Sequence, residues 1–116
     1  MIKEITATEL KSRLDRREKL LVLEAMPEKY YRKAHIPGAI HFPVDEIETL
    51  APRLAPDKSQ EIILYCADIR CGNSHWVADQ LERLGYRNVA VYPGGKAEWI
   101  ALGFDVAKGL NPGRAA

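Results

Sequence analysis

Apolar and polar positions along this chain switch repeatedly between two periods. Leu20-Leu21-Val22-Leu23 and Ile62-Ile63-Leu64-Tyr65 are continuous apolar runs, the pattern of strands covered on both faces. Val89-Ala90-Val91-Tyr92 is a third run of this kind, and Ile2 to Ile5 and part of His35 to Pro43 read as two shorter strands. Between the runs the spacing becomes helical. Leu10 and Leu14 mark one face of a helix that follows Thr6-Ala7-Thr8-Glu9, a sequence that fits a capping box with Thr6 as N-cap and Glu9 reaching back. Pro27 suits the first turn of a second helix ending at Lys33, a position that needs no N–H donor. Val44 to Leu50 predicts a short third helix with Ile47 and Leu50 or Leu54 inward, and Pro52 to Gln60 a turn-rich linker. Asn73 to Leu84 carries Val77, Ala78, Leu81 and Leu84 at helical period, with Gly85 placed to end the helix. After the tight turn Pro93-Gly94-Gly95, Lys96 to Leu102 predicts a last helix with Trp99 on its inner side. Strands alternating with helices predict an α/β fold on a parallel sheet.

Size and charge narrow this picture. A chain of 116 residues supports one core, assigned to residues 1–110, with Asn111 to Ala116 as a loose C-terminal tail. The formal net charge of +1 gives no reason to expect nucleic acid or a membrane surface as a partner. The densest basic cluster, Lys11, Arg13, Arg16, Arg17 and Lys19, is interleaved with Asp15 and Glu18 and reads as a solvated helix face. Lys3 and Glu4 stand where a signal peptide needs an apolar run. The longest apolar stretch, Ile62 to Ala67, is far too short to span a bilayer. A cytoplasmic location is the expectation.

Candidate chemistry gathers in one loop. The run Ile62 to Tyr65 ends in Cys66, and Ala67-Asp68-Ile69-Arg70-Cys71-Gly72-Asn73-Ser74 leads into the next helix. An open α/β sheet places a nucleophile at such a strand end, facing the positive end of a helix. Loop amides and that helix end favour thiolate over thiol. The plainer alternative is a buried strand cysteine without reactivity. Cys66 and Cys71, five positions apart, are too close to staple a large fold, which favours reactive or redox use. Arg70 is the one cation of the loop and a candidate to hold an anion. Asn73 and Ser74 are good helix caps. His75 lines a pocket mouth or sits exposed in the first helical turn. His35 packs in a turn, His41 has no evident partner, and Trp76 and Trp99 read as core or rim. No histidine–cysteine spacing suits a metal, and no cofactor is implied.

Four segments carry a resemblance: His35-Ile36-Pro37-Gly38-Ala39-Ile40, Tyr65-Cys66, Leu81 to Val89, and Gly94-Gly95-Lys96-Ala97-Glu98-Trp99. In this order and spacing they resemble a single-domain rhodanese-like protein over roughly the whole chain. The resemblance implies a three-layer fold: a central, mostly parallel five-stranded sheet with helices on both faces. It also implies sulfur transfer. A cysteine thiolate, Cys66, takes sulfur from a small anionic donor such as thiosulfate, holds it as a persulfide, and yields it to a thiol or protein acceptor. The loop residues Ala67, Asp68, Ile69, Arg70, Gly72, Asn73 and Ser74 would bind the donor. Two departures stand out. The family's Asp-x-Arg at the end of the second strand reads Glu24-Ala25-Met26 here, so an expected structural ion pair is altered or missing. The loop is about three residues longer than usual, since Gly72 lies six positions after Cys66, and it holds Cys71, which resembles a sub-type with two loop cysteines. Cys71 is a resolving thiol, the nucleophile itself, or a passive loop residue. Phosphatases that share this fold need an arginine six positions after the cysteine, where this chain has Gly72. A non-enzymatic redox sensor or interaction module using the Cys66–Cys71 pair is the competing function.

Overall fold

In the computed structural model, which describes residues 2–113, five strands alternate with five helices. The strands are β1 (Lys3–Glu4), β2 (Leu21–Glu24), β3 (Ile40–His41), β4 (Ile62–Tyr65) and β5 (Val89–Val91). The helices are α1 (Ala7–Asp15), α2 (Glu28–Lys33), α3 (Ile47–Leu54), α4 (Asn73–Arg83) and α5 (Gly95–Ala101). The strands form one sheet in the order β1-β5-β4-β2-β3, and every neighbouring pair is parallel. This is the α/β architecture expected from the sequence, with the residue 111–116 segment described only as far as Gly113.

The apolar runs are explained by layers on both faces. Successive side chains of a strand point to opposite sides. Ile62 and Leu64 of β4 therefore join a layer with Ile47 and Ala51 of α3 and Val77, Ala78 and Leu81 of α4. Ile63 and Tyr65 join the opposite layer with Leu10 of α1 and Trp99 of α5. Leu23 and Val22 of β2 divide in the same way. By this alternation the next residue, Cys66, turns toward the α4 side.

Most helix ends follow local chemistry. Glu9 N donates to Thr6 Oγ1 at 3.1 Å, the first half of the capping box. The second half differs, because the Thr6 hydroxyl itself donates to Glu9 Oε1 at 3.4 Å. At the end of α4, Gly85 N donates to the Glu82 carbonyl and Tyr86 N to the Leu81 carbonyl. This pair of bonds is a Schellman motif, and Gly85 takes the left-handed φ of +98° that it requires.

Three sequence expectations need correction. Pro27 is the N-cap of α2, with ψ of 150°, rather than its first helical residue. The third helix runs from Ile47 to Leu54 and not from Val44 to Leu50. Pro52 lies inside it, so the linker begins after the helix. Proline there lacks only the N–H that would reach Glu48, and burial of Ile47 and Ala51 holds the helix together around that gap.

Candidate active site

β4 lies between β2 and β5, and the chain leaves the carboxyl ends of β2 and β4 toward different helices. Crevices at such ends, where the strand order reverses, are where open α/β sheets bind ligands. Cys66 stands directly after β4 with only 1% of its surface exposed. Its neighbour across the sheet end is Ala25, whose N–H donates to the Tyr65 carbonyl at 2.9 Å.

Buried bonds hold the floor of this crevice. The carboxylate of Glu24 is fully buried. It accepts from the Tyr65 hydroxyl at 2.6 Å through Oε1 and from Lys96 Nζ at 2.9 Å through Oε2. Lys96 also donates to the Tyr30 carbonyl at 2.8 Å. The expected ion pair is thus present in altered form, with Glu24 in β2 and its cation supplied by the Gly-Gly-Lys segment instead of the next residues of the strand. Burial, with the Glu24 carboxylate close by, pushes the Tyr65 hydroxyl well above its usual range and keeps it a donor. The same Tyr65 oxygen accepts Ile36 N at 3.0 Å. That bond ties the His35 to Ile40 turn to the residue preceding Cys66.

The loop itself is pinned from below by α5. Lys96 N and Ala97 N donate to the carbonyls of Cys66 and Ala67 at 2.9 and 2.8 Å. Gly95 makes this close approach possible. A Cβ there would lie 2.6 Å from the Cys66 carbonyl oxygen and 2.9 Å from Asp68 N, and φ is +68°. Gly95→Ala is therefore expected to destabilise the protein by about 2–4 kcal/mol, combining a left-handed backbone with a backbone clash. Urea unfolding checks this, and a loss under ~0.5 kcal/mol would show that the loop moves freely off α5.

Within the loop, Asp68 acts as an internal staple. Its Oδ1 accepts Arg70 N at 2.9 Å, its Oδ2 accepts the Arg70 guanidinium at 3.1 Å, and its carbonyl accepts Cys71 N at 3.1 Å. The Arg70 side chain and N–H hold the Asp68 carboxyl below the ordinary carboxylate range. A depressed carboxyl loses its bonds only as the pH falls through that lowered value, so the staple is intact at neutral pH. Arg70 is 88% exposed along its side chain, so its guanidinium stands in solvent beside Asp68 and not over Cys66.

Cys71 curls back over the strand end and is bonded to Cys66, their Cα atoms 6.3 Å apart. Ser74 Oγ, buried, lies 3.5 Å from Cys66 Sγ. Asn73 Nδ2 donates to the Ala25 carbonyl at 3.3 Å. Neither side chain caps α4, contrary to expectation: the N-cap is Gly72, with no side-chain bond. The reason is tertiary. Both residues are drawn to partners across the crevice, and the first amides of α4 keep no side-chain acceptor. His75 is exposed, with Nε2 3.1 Å from Glu4 Oε2, which places it in the first helical turn and away from Cys66.

The remaining candidates have structural partners. His35 is buried, stacked on Tyr31 at 3.9 Å, and its Nδ1 lies 2.9 Å from the Tyr31 carbonyl oxygen. His41 has the partner that its sequence context does not reveal: Nε2 donates to the Met26 carbonyl at 2.6 Å. Trp99 is core and Trp76 half-exposed. Among the described residues no group of histidines, cysteines and carboxylates could hold a metal ion, and no helix is long and apolar enough to cross a membrane. A cleft of about 590 Å³ opens beside the loop, lined chiefly by Met26, Tyr30, Lys33, Ala67, Asp68, Lys96 and Ile100. Sequence reasoning missed this wall. Its signal was weak, because Tyr30 and Lys33 read as an ordinary helix surface.

The Rhodanese-like domain family matches residues 6–102. The chain belongs to this family. It is 32% identical over 98 residues to the putative sulfur carrier protein YrkF of Bacillus subtilis, covering 84% of this chain and 51% of that protein. It is 32% identical over 87 residues to the thiosulfate:glutathione sulfurtransferase of Saccharomyces cerevisiae, covering 65% and 60%. Among solved structures, the thiosulfate sulfurtransferase from Pseudomonas aeruginosa superposes with a TM-score of 0.85 at 27% identity, over 99% of this chain and 22% of that one. The chain spans about half the length of the curated relatives it matches. The rhodanese-like domain thus fills most of this chain, and the five-stranded parallel sheet with its helices is that family's fold.

Proposed function

We propose that this rhodanese-like domain is a sulfurtransferase or sulfane-sulfur carrier working through a persulfide on Cys66. The observation that carries the reading is the place of Cys66: the carboxyl end of a central parallel strand, beside the uncapped N-terminus of α4 and the Ser74 hydroxyl. Once the Cys66–Cys71 bond is reduced, the helix end favours a thiolate and attracts an anion. The thiolate attacks the outer sulfur of an anionic donor such as thiosulfate. The S–S bond of the donor breaks, and sulfite leaves with the electron pair. A thiophilic acceptor, a thiol or a cysteine of another protein, then takes the outer sulfur and restores the thiolate. In this reading the donor is bound by Ala67, Asp68, Ile69, Arg70 and Gly72 of the loop with Asn73 and Ser74 at the start of α4, and the Arg70 guanidinium, which faces Asp68 and solvent, is not its clamp. A reducing compartment such as the cytoplasm suits it, because the bridged form has no free thiolate.

The direct test is intact mass of the reduced Cys71→Ser protein, in which no second thiol competes for the sulfur, after thiosulfate and then cyanide. Gain of one sulfur on the protein and its release as thiocyanate is the expected result. A protein that keeps its mass and yields no thiocyanate rejects the reading. The bonded Cys66–Cys71 pair favours a second reading, a redox sensor or interaction module. In that case the donor is ignored and only the loss of two hydrogens is seen on oxidation of the wild type.

Cys66 in the reduced protein is also expected to titrate below a free cysteine. The rate of alkylation by iodoacetamide against pH should inflect below about 8.5, the value of an unperturbed thiol. An inflection at or above it would show that the helix end and loop amides do not act on the sulfur.

A further inference from the structure

We infer that Cys71 gives this domain a second activity: release of the captured sulfur as sulfide, with the electrons of a dithiol reductant entering at Cys71. The inference rests on Cys66 as the sulfur acceptor. It begins from the loop. The Cα atoms of Cys66 and Cys71 are 6.3 Å apart, inside the range that a disulfide spans without backbone movement. That separation is kept by bonds that do not involve sulfur. Lys96 N holds the Cys66 carbonyl, and the Asp68 carbonyl holds Cys71 N. The Asp68 carboxylate fixes the intervening turn through Arg70 N. Reduction therefore leaves Cys71 poised over the Cys66 sulfur.

The chemistry follows from that placement. When Cys66 carries a persulfide, the sulfur that the loop presents to Cys71 is the inner one, Cys66 Sγ. The Cys71 thiolate attacks it. A Cys66–Cys71 bond forms, the bond to the outer sulfur breaks, and hydrosulfide leaves with the electron pair. The sulfane sulfur is reduced by two electrons, and the two thiols are oxidised to the disulfide. Restoring the enzyme then needs a dithiol. The two sulfurs are unequal targets: Cys66 is 1% exposed, whereas Cys71 is partly open to solvent. A reductant thiolate therefore attacks Cys71 Sγ and expels Cys66 as a thiolate, the better leaving group beside the helix end. The second thiol of the reductant then attacks the mixed disulfide and frees Cys71. Per cycle, one sulfane sulfur and one dithiol become one sulfide and one disulfide.

The test compares wild type with Cys71→Ser, both reduced, freed of reductant and given thiosulfate. Wild type should release sulfide and lose two hydrogens by intact mass. Cys71→Ser should hold its added sulfur, with a persulfide lifetime longer by about tenfold or more, and release no sulfide. Cys71→Ala should behave like Cys71→Ser, which separates loss of the thiol from any effect of the new hydroxyl. Addition of dithiothreitol should turn single release into continuous release in wild type. Equal persulfide lifetimes in wild type and both variants overturn the inference and leave sulfur capture by Cys66 standing. Sulfur uptake by wild type but by neither variant makes Cys71 the acceptor and overturns both. Uptake by none of the three rejects the Cys66 reading itself.

Discussion

Cys66→Ser should abolish sulfur transfer, lowering kcat/KM with thiosulfate and cyanide by on the order of 10³-fold or more. The loss is large because no other group can take over. Cys66 is the thiol at the strand end, and Cys71 lies one loop curl away with its N–H bound to the Asp68 carbonyl. A serine hydroxyl at position 66 is far too weakly acidic to ionise near neutral pH, and the helix end cannot close that gap. The fold should survive, since Ser74 Oγ, 3.5 Å from the sulfur, offers a hydroxyl partner. Intact mass after thiosulfate should show no added sulfur on the variant, while its urea midpoint stays near that of the reduced wild type. Normal sulfur uptake by Cys66→Ser would move the chemistry to Cys71 and remove Cys66 from the mechanism.

Glu24→Ala is expected to be the most damaging single change to stability, about 3–5 kcal/mol. Glu24 is fully buried and Lys96 only 12% exposed along its side chain. Removing the carboxylate leaves the ammonium largely desolvated with the Tyr30 carbonyl alone, and leaves the Tyr65 hydroxyl without an acceptor. Glu24→Gln should cost less, about 1–2 kcal/mol, because an amide oxygen still accepts from Lys96. The double variant Glu24→Met with Lys96→Met should recover much of the loss, since a buried pair replaced by apolar groups of similar length no longer strands a charge. Urea unfolding of the three proteins decides the matter. Equal stability of Glu24→Ala and wild type would show that the pair contributes nothing.

These two predictions differ in how far the sequence points to them. Cys66 is legible because a run of apolar residues ending in cysteine before an amphipathic helix has few physical readings. The Glu24–Lys96 pair is not legible. Glu24 ends an apolar strand and Lys96 lies in the first turn of a helix 72 residues later, and nothing local in either segment names the other. The family's spacing signals only that the usual partner was absent. The capping assignments for Asn73 and Ser74 failed for a related reason. Their side chains compete between the local helix end and the crevice, and the Ala25 carbonyl and the Cys66 sulfur win. His41 was opaque because its acceptor, the Met26 carbonyl, is exposed by the course of the chain after β2.

Periodicity by itself determined the element order and the parallel sheet, because burial on two faces writes itself into consecutive residues. Composition and the cysteine spacing pointed the candidate chemistry to one loop. The family signature came from short segments; Gly85 acts locally at a helix end, whereas Gly95 serves a tertiary approach under the loop. Tertiary structure alone decided the rest. It set where α3 begins and ends, since Pro52 is tolerated only because Ile47 and Ala51 are buried. It turned His75 toward Glu4. It brought Cys71 onto Cys66, since the curl depends on carbonyls held by α5 and on the Asp68 staple. A side chain's long-range partner depends on where the backbone carries it, and five residues of loop can lie extended or folded back with the same local preferences.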